Sequence, residues 1–191
     1  IVLGPIEHFW ARLLLLLVFA ATFYLISAIA KHAFPASESA QRIVRTGYLL
    51  SPLAGFAVFT FGQYDIIGVF FTLLGVLMYF RRNSFWFVFW FSIAITFKYF
   101  AAFVFVPLAL FYFKRPVKIA LALLGGLAFT ALEFLIYWSS PSFRVGALLI
   151  AEGKASGPLQ NPLQVLKGVL FLALWVTGFL YGRRGDGLAR P

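Results

Sequence analysis

The chain contains no cysteine, two histidines and only six carboxylate side chains among its 191 residues. Without thiols it can form no disulfide, no thiolate metal site and no cysteine nucleophile. Two histidines leave little from which to build a zinc centre. No metal or other cofactor is therefore expected, and nothing supports a divalent ion. The two aspartates are Asp65 and Asp186, and Asp186 sits in the tail, so no Ser-His-Asp order can be read. A Gly-rich phosphate loop ending in Lys-Ser/Thr is also missing, as is His-Glu-x-x-His. Charged residues of both signs reach 12%, about half the usual share in a soluble domain. That supply cannot clothe a water-facing surface.

What is present is apolar bulk: 62% hydrophobic residues, with 25 phenylalanines. Lipid solvates such side chains, so the composition predicts an all-α integral membrane protein with membrane lipids as its surroundings. The net charge of +10 does not point to nucleic acid, because the basic residues fall between apolar runs rather than along one face. The chain opens on Ile1 inside an apolar stretch and shows no signal peptide. It is expected to be a fragment that lacks an N-terminal part.

A helix needs roughly 20 residues to cross about 30 Å of hydrocarbon. Spans are predicted over 10–30, 46–62, 66–80, 85–97, 99–113, 119–138 and 165–182, forming one transmembrane domain over 1–185, with 186–191 as a tail. The stretch from Phe85 to Phe113 is too long for one span and too short for two, and Lys98 lies near its centre. Two half-length helices meeting near Lys98 reconcile these facts, since backbone breaks at membrane depth only where protein or a wet cavity covers it. The expected architecture is a polytopic helical bundle with short, broken helices near Asp65 and Lys98.

Lys and Arg favour cytoplasmic loops. With the N-terminus outside, eleven of the sixteen basic residues fall inside: Lys31, Arg42, Arg45, Arg81, Arg82, Lys114, Arg115, Lys118, Arg183, Arg184 and Arg190. Arg12, Arg144, Lys154 and Lys167 fall outside. This orientation turns Gln63-Tyr64-Asp65, the Lys98 break and the 139–164 loop toward the extracytoplasmic side of a multi-pass cell-membrane protein.

Within Gly62-Gln63-Tyr64-Asp65, an amide beside a carboxylate at a helix–helix turn suits sugar hydroxyls or a cationic group. Asp65 is equally suited to cap the helix that follows. Lys98 within an apolar stretch is costly unless it faces a cavity or a partner, and its ammonium can receive a phosphate. The plainer alternative is that it snorkels to the interface. Glu133 either pairs with a buried cation such as Lys98 or sits at headgroup level, the second being favoured. Glu7 and His8 precede the first span, as a solvated helix start or as titrating groups. Arg144 and Lys154 of the outer loop are either phosphate ligands or surface charge.

The order Ser51-Pro52, Phe61-Gly62-Gln63-Tyr64-Asp65, Arg81-Arg82, Lys98-Tyr99-Phe100, Pro107 and Lys114-Arg115 resembles the GT-C superfamily of polytopic glycosyltransferases, particularly bacterial, mannosyltransferase-like members. Those carry a Gly-Gln-x-Asp or Gly-Gln-x-Asn turn and a Lys-x-x-Pro helical hairpin; here the proline is displaced to Pro107. The resemblance covers about Leu49 to Lys118. It implies sugar transfer from a polyprenyl-phosphate-linked donor to an extracytoplasmic glycan, lipid or protein acceptor, in the bacterial cytoplasmic membrane. The family's catalytic carboxylate lies in the first outer loop, which is expected upstream of Ile1; Glu7 and Asp65 are the carboxylates here that could stand in. Asp65 matches the family's turn, which implies a structural or substrate-positioning role. Substrate contacts are expected from Gln63, Tyr64, Asp65, Lys98, Arg144 and Lys154. Two other readings are a transporter or flippase for lipid-linked or small polar solutes, whose sites also use broken helices, and a noncatalytic membrane subunit.

Overall fold

A computed structural model describes residues 5–51 and 64–146, with side chains from Phe9 onward in the first stretch. Among these residues every regular element is a helix: α1 (Pro5–Ala33), α2 (Glu38–Leu49), α3 (Asp65–Phe80), α4 (Ser84–Phe97), α5 (Ala101–Tyr112), α6 (Pro116–Gly126) and α7 (Ala128–Tyr137), followed by a helical turn over 141–146. The chain forms two compact units, residues 1–133 and 134–191. The second is described over 134–146, where Phe134 and Tyr137 pack on Phe143 at 5.4 and 5.8 Å between ring centres. The predicted span 165–182 and the tail lie outside the described residues.

Among the described residues two stretches are long and apolar enough to cross a bilayer: Phe9–Ala33 and the nearly continuous Pro116–Tyr137. The second starts earlier than the predicted 119, because Pro116 takes the first helical turn, where its missing N–H is no loss. It changes register at Leu127, just after Gly125-Gly126. By contrast α3, α4 and α5 hold 16, 14 and 12 residues, or about 24, 21 and 18 Å of helix.

The predicted span 46–62 does not begin where expected. Residues 46–49 are the last turn of α2, which starts at Glu38; residues 52–62 lie outside the described set. Ser37 sets that start, its hydroxyl accepting from the Ala40 N–H at 3.3 Å. The helix ends before Pro52, whose ring disfavours helical backbone in the residue ahead of it. α2 leans on α1 through Tyr48, which stacks on Phe19 at 4.9 Å and donates to its carbonyl at 3.2 Å.

α3 and α4 form the tightest pair, α1 and α2 flank α3 and α1 respectively, and α5 and α6 complete the packing around α4. The core is built from rings set against small residues: Phe87, Phe91 and Phe105 with Ala94, Ala101, Ala109 and Ala122. Gly75 lets α3 approach so closely that an added Cβ would lie 2.5 Å from the Phe91 ring, and Gly126 serves Phe105 in the same way at 2.4 Å. Small residues give this proximity where dispersion is the main attraction between apolar helices.

A three-residue turn joins α3 to α4. Arg82 adopts φ 57°, its N–H bonds the Tyr79 carbonyl, and the Asn83 N–H bonds that of Met78, which is a Schellman closure. Asn83 then caps α4 by accepting from the Trp86 N–H at 3.3 Å. A non-glycine residue in this left-handed region carries a cost of about 1–2 kcal/mol. Two variants test this hairpin by thermal unfolding in detergent. Gly75→Leu is expected to lower stability by about 1–3 kcal/mol through overpacking, while Arg82→Gly is expected to match or exceed the parent by up to about 1 kcal/mol.

Candidate functional site

At the end of the hairpin away from Arg82, the start of α3 meets the end of α4. Asp65 occupies the first turn of α3, and Lys98 is the C-cap of α4. Lys98 is extended, with φ −152° and ψ 116°, so the helix stops there and restarts at Ala101. Its own N–H still closes on Ala94, and its carbonyl accepts from Ala101. The break therefore leaves the Lys98 backbone satisfied. This is the half-length pair expected from the sequence.

The Lys98 ammonium lies 2.8 Å from Asp65 Oδ1. Its stem passes over Gly68, one turn into α3, where a Cβ would make ordinary contact, 3.4–3.5 Å from the stem and 3.6 Å from Phe97. The stem is thus laid along the Gly68 face with its head reaching back to the carboxylate. Phe71 stacks on Phe97 at 5.6 Å and holds the two helices together beside it. Thr72 turns its hydroxyl onto the Gly68 carbonyl at 2.8 Å, which keeps that polar atom from competing for Lys98.

Two expectations change here. Asp65 is not the helix N-cap: Tyr64 holds that position, and no side chain caps it. Asp65 instead sits just inside, where a carboxylate meets the positive end of the helix dipole and faces Lys98. Glu133 is not the partner of Lys98 either, for Asp65 is. Nor is Lys98 buried within the protein: its side chain is 41% exposed and that of Asp65 51%. An exposed pair is worth about 0–1 kcal/mol in water, so its stabilising effect is small. Its importance is that both heads stay accessible. An ammonium has three donors, and one carboxylate oxygen does not consume them.

Tyr64 stands beside the pair, half exposed. Gln63, Lys154 and the side chains of Glu7 and His8 lie outside the described residues. Arg144 belongs to the second unit, in the turn over 141–146 whose start places its N–H on the Ser140 carbonyl. Among the described residues no three His, Asp or Glu side chains gather as metal ligands. The residue that sequence reasoning passed over is Gly75, which lets α3 close on the Phe91 ring of α4 and so draws the two helices together.

A double-mutant cycle tests the pair. Asp65→Asn with Lys98→Met should destabilise less than the two single changes summed, with a coupling of about 0.5–1 kcal/mol in chemical unfolding; strict additivity would mean that no pair forms. Compared with known proteins, the chain matches no family model, and no curated protein or solved structure is significantly similar to it.

Proposed function

We propose that the chain is the transmembrane part of a multi-pass glycosyltransferase of GT-C type, using a polyprenyl-phosphate sugar at the extracytoplasmic face of a bacterial cytoplasmic membrane. The observation that carries this reading is the Asp65–Lys98 pair, half open at a helix break within an apolar scaffold. The membrane part of the reading is supported by the two long apolar stretches, of whose residues only 17% and 11% are buried. A core helix of a soluble protein would be covered; these present bare leucine and phenylalanine.

In this reading Asp65 fixes the Lys98 ammonium, and Lys98 turns its remaining donors to the donor phosphate. The acceptor oxygen bonds to the anomeric carbon as the bond from that carbon to the phosphate oxygen breaks. The acceptor proton passes to a carboxylate acting as general base. Lys98 stabilises the charge that develops on the departing phosphate. Tyr64 borders the sugar, and the isoprenoid tail lies between Phe-rich helices.

A broken helix with a charged pair also serves solute transport, and sugar transfer itself decides between the two. In the intact protein, Lys98→Ala should cut transfer from a radiolabelled polyprenyl-phosphate sugar by about 100-fold or more, with Lys98→Arg retaining part of it. Full transfer by Lys98→Ala would remove the phosphate role; solute uptake without any transfer would favour the transporter. The orientation has its own check. Because the chain lacks cysteine, Tyr64→Cys should react with an impermeant thiol reagent from outside, and labelling from the cytoplasm alone would reverse the topology.

A further inference from the structure

At the opposite end from Asp65 and Lys98 the chain gathers positive charge. His32 stacks on Phe80 at 6.2 Å, which brings the end of α1, with Lys31, to the end of α3. Tyr112 packs on Tyr79 at 5.7 Å and on Phe87 at 5.4 Å, which brings the end of α5 to the same place. Arg81-Arg82, Lys31 and Lys114-Arg115 therefore cluster around one rim. Here α4 and α6 both begin, and both run away from it.

Between α4 and α6 lies an open groove of about 500 Å³. Its mouth is at Ser84 and Lys118, its walls are Val88, Phe89 and Leu121, and its far end is Gly125 beside Ser92. At Gly125 the helices α6 and α4 come close, since a Cβ there would stand 2.9 Å from a Val88 methyl, so a larger side chain would intrude on the groove it lines. The Ser92 hydroxyl already accepts from the Phe129 N–H at 3.1 Å, so the inner end makes no polar demand. From Ser84 to Ser92 the groove runs about 12 Å, close to the roughly 15 Å depth of one leaflet's hydrocarbon. It is apolar along its length and cationic only at its entrance.

We propose that this groove seats one acyl chain of an anionic phospholipid, with Lys118 meeting the headgroup phosphate and Lys114 and Arg115 reinforcing it. Apolar walls select a hydrocarbon tail, and the single ammonium at the mouth selects a negative head over a zwitterionic one. The cationic rim raises the local concentration of such lipids. The site rests on Pro116–Tyr137 crossing the bilayer and is independent of any role for Lys98.

The test is native mass spectrometry of the full chain extracted from vesicles containing equal phosphatidylglycerol and phosphatidylcholine of matched tails. The wild type should retain phosphatidylglycerol about fivefold over phosphatidylcholine, the weight of one lysine at an anionic surface. Lys118→Glu should abolish the preference, whereas Arg42→Glu, on α2 and away from the groove, should keep it. Gly125→Leu should release both lipids. Leu121→Trp should do the same from the exposed rim without disturbing the core, which covers the case where Gly125→Leu misfolds. Equal retention of the two lipids by the wild type would overturn the proposal. So would loss of preference in Arg42→Glu as large as in Lys118→Glu, which would mean diffuse surface charge. Unchanged retention in Leu121→Trp, or no lipid retained by the wild type, would overturn it as well.

Discussion

The approach of α3 to α4 governs the rest of the described structure. Gly75 admits the Phe91 ring, the Arg82 turn sends the chain straight back, and the Lys98 stem passes over Gly68 in ordinary contact. Asp65 and Lys98, more than thirty residues apart in sequence, are thereby placed 2.8 Å apart at one end of a hairpin. Neither partner chooses the other by charge alone. The backbone path places them, and attraction then closes the last ångströms. A wider helix pair would leave the same two charges facing lipid or water separately.

Elsewhere the apolar helices deal with polar atoms locally. Thr22 and Thr72 return their hydroxyls to carbonyls four residues earlier, at 2.7 and 2.8 Å. Thr96 meets Thr130 at 3.1 Å, and Ser92 meets the Phe129 backbone. Among the described residues no buried side-chain polar atom lacks a partner. Against that background the Asp65–Lys98 pair differs in kind. Its two heads are partly exposed rather than buried, because the helix break leaves at the surface the groups that hairpin geometry brings together.

Much of this was legible from the residues themselves. The helical class followed from apolar run length, and the break at Lys98 followed from a run that fits neither one span nor two. The pairing of Asp65 with Lys98 was not legible, because run lengths set where helices end and not which ends meet. That information lay in glycine placement, at Gly75, whose effect appears only when two helices are laid against each other. The start of α2 was missed for a different reason. Its polar residues suggest a loop, but Ser37 supplies a cap and its apolar positions recur at helical spacing, so a short amphipathic helix forms without a continuous apolar run. The three short helices were expected; the non-glycine residue at the α3–α4 turn was not, since Arg82 pays in backbone strain for a charge at that rim.

The shortness of α3, α4 and α5 also bears on the membrane itself. Of these, α3, about 24 Å long, packs on α1, whose stretch Phe9–Ala33 is long enough to cross with residues to spare. A bilayer cannot match both lengths at once. If the short helices also span, as the proposed function has it, the bilayer thins where they face it or the long one tilts, at a cost of a fraction of a kcal/mol for each ångström of mismatch. Thinning would draw the headgroup region inward toward Asp65 and Lys98. The same short helices that bare the pair would thus bring the layer of lipid phosphates down to it, and a thicker membrane would oppose that descent.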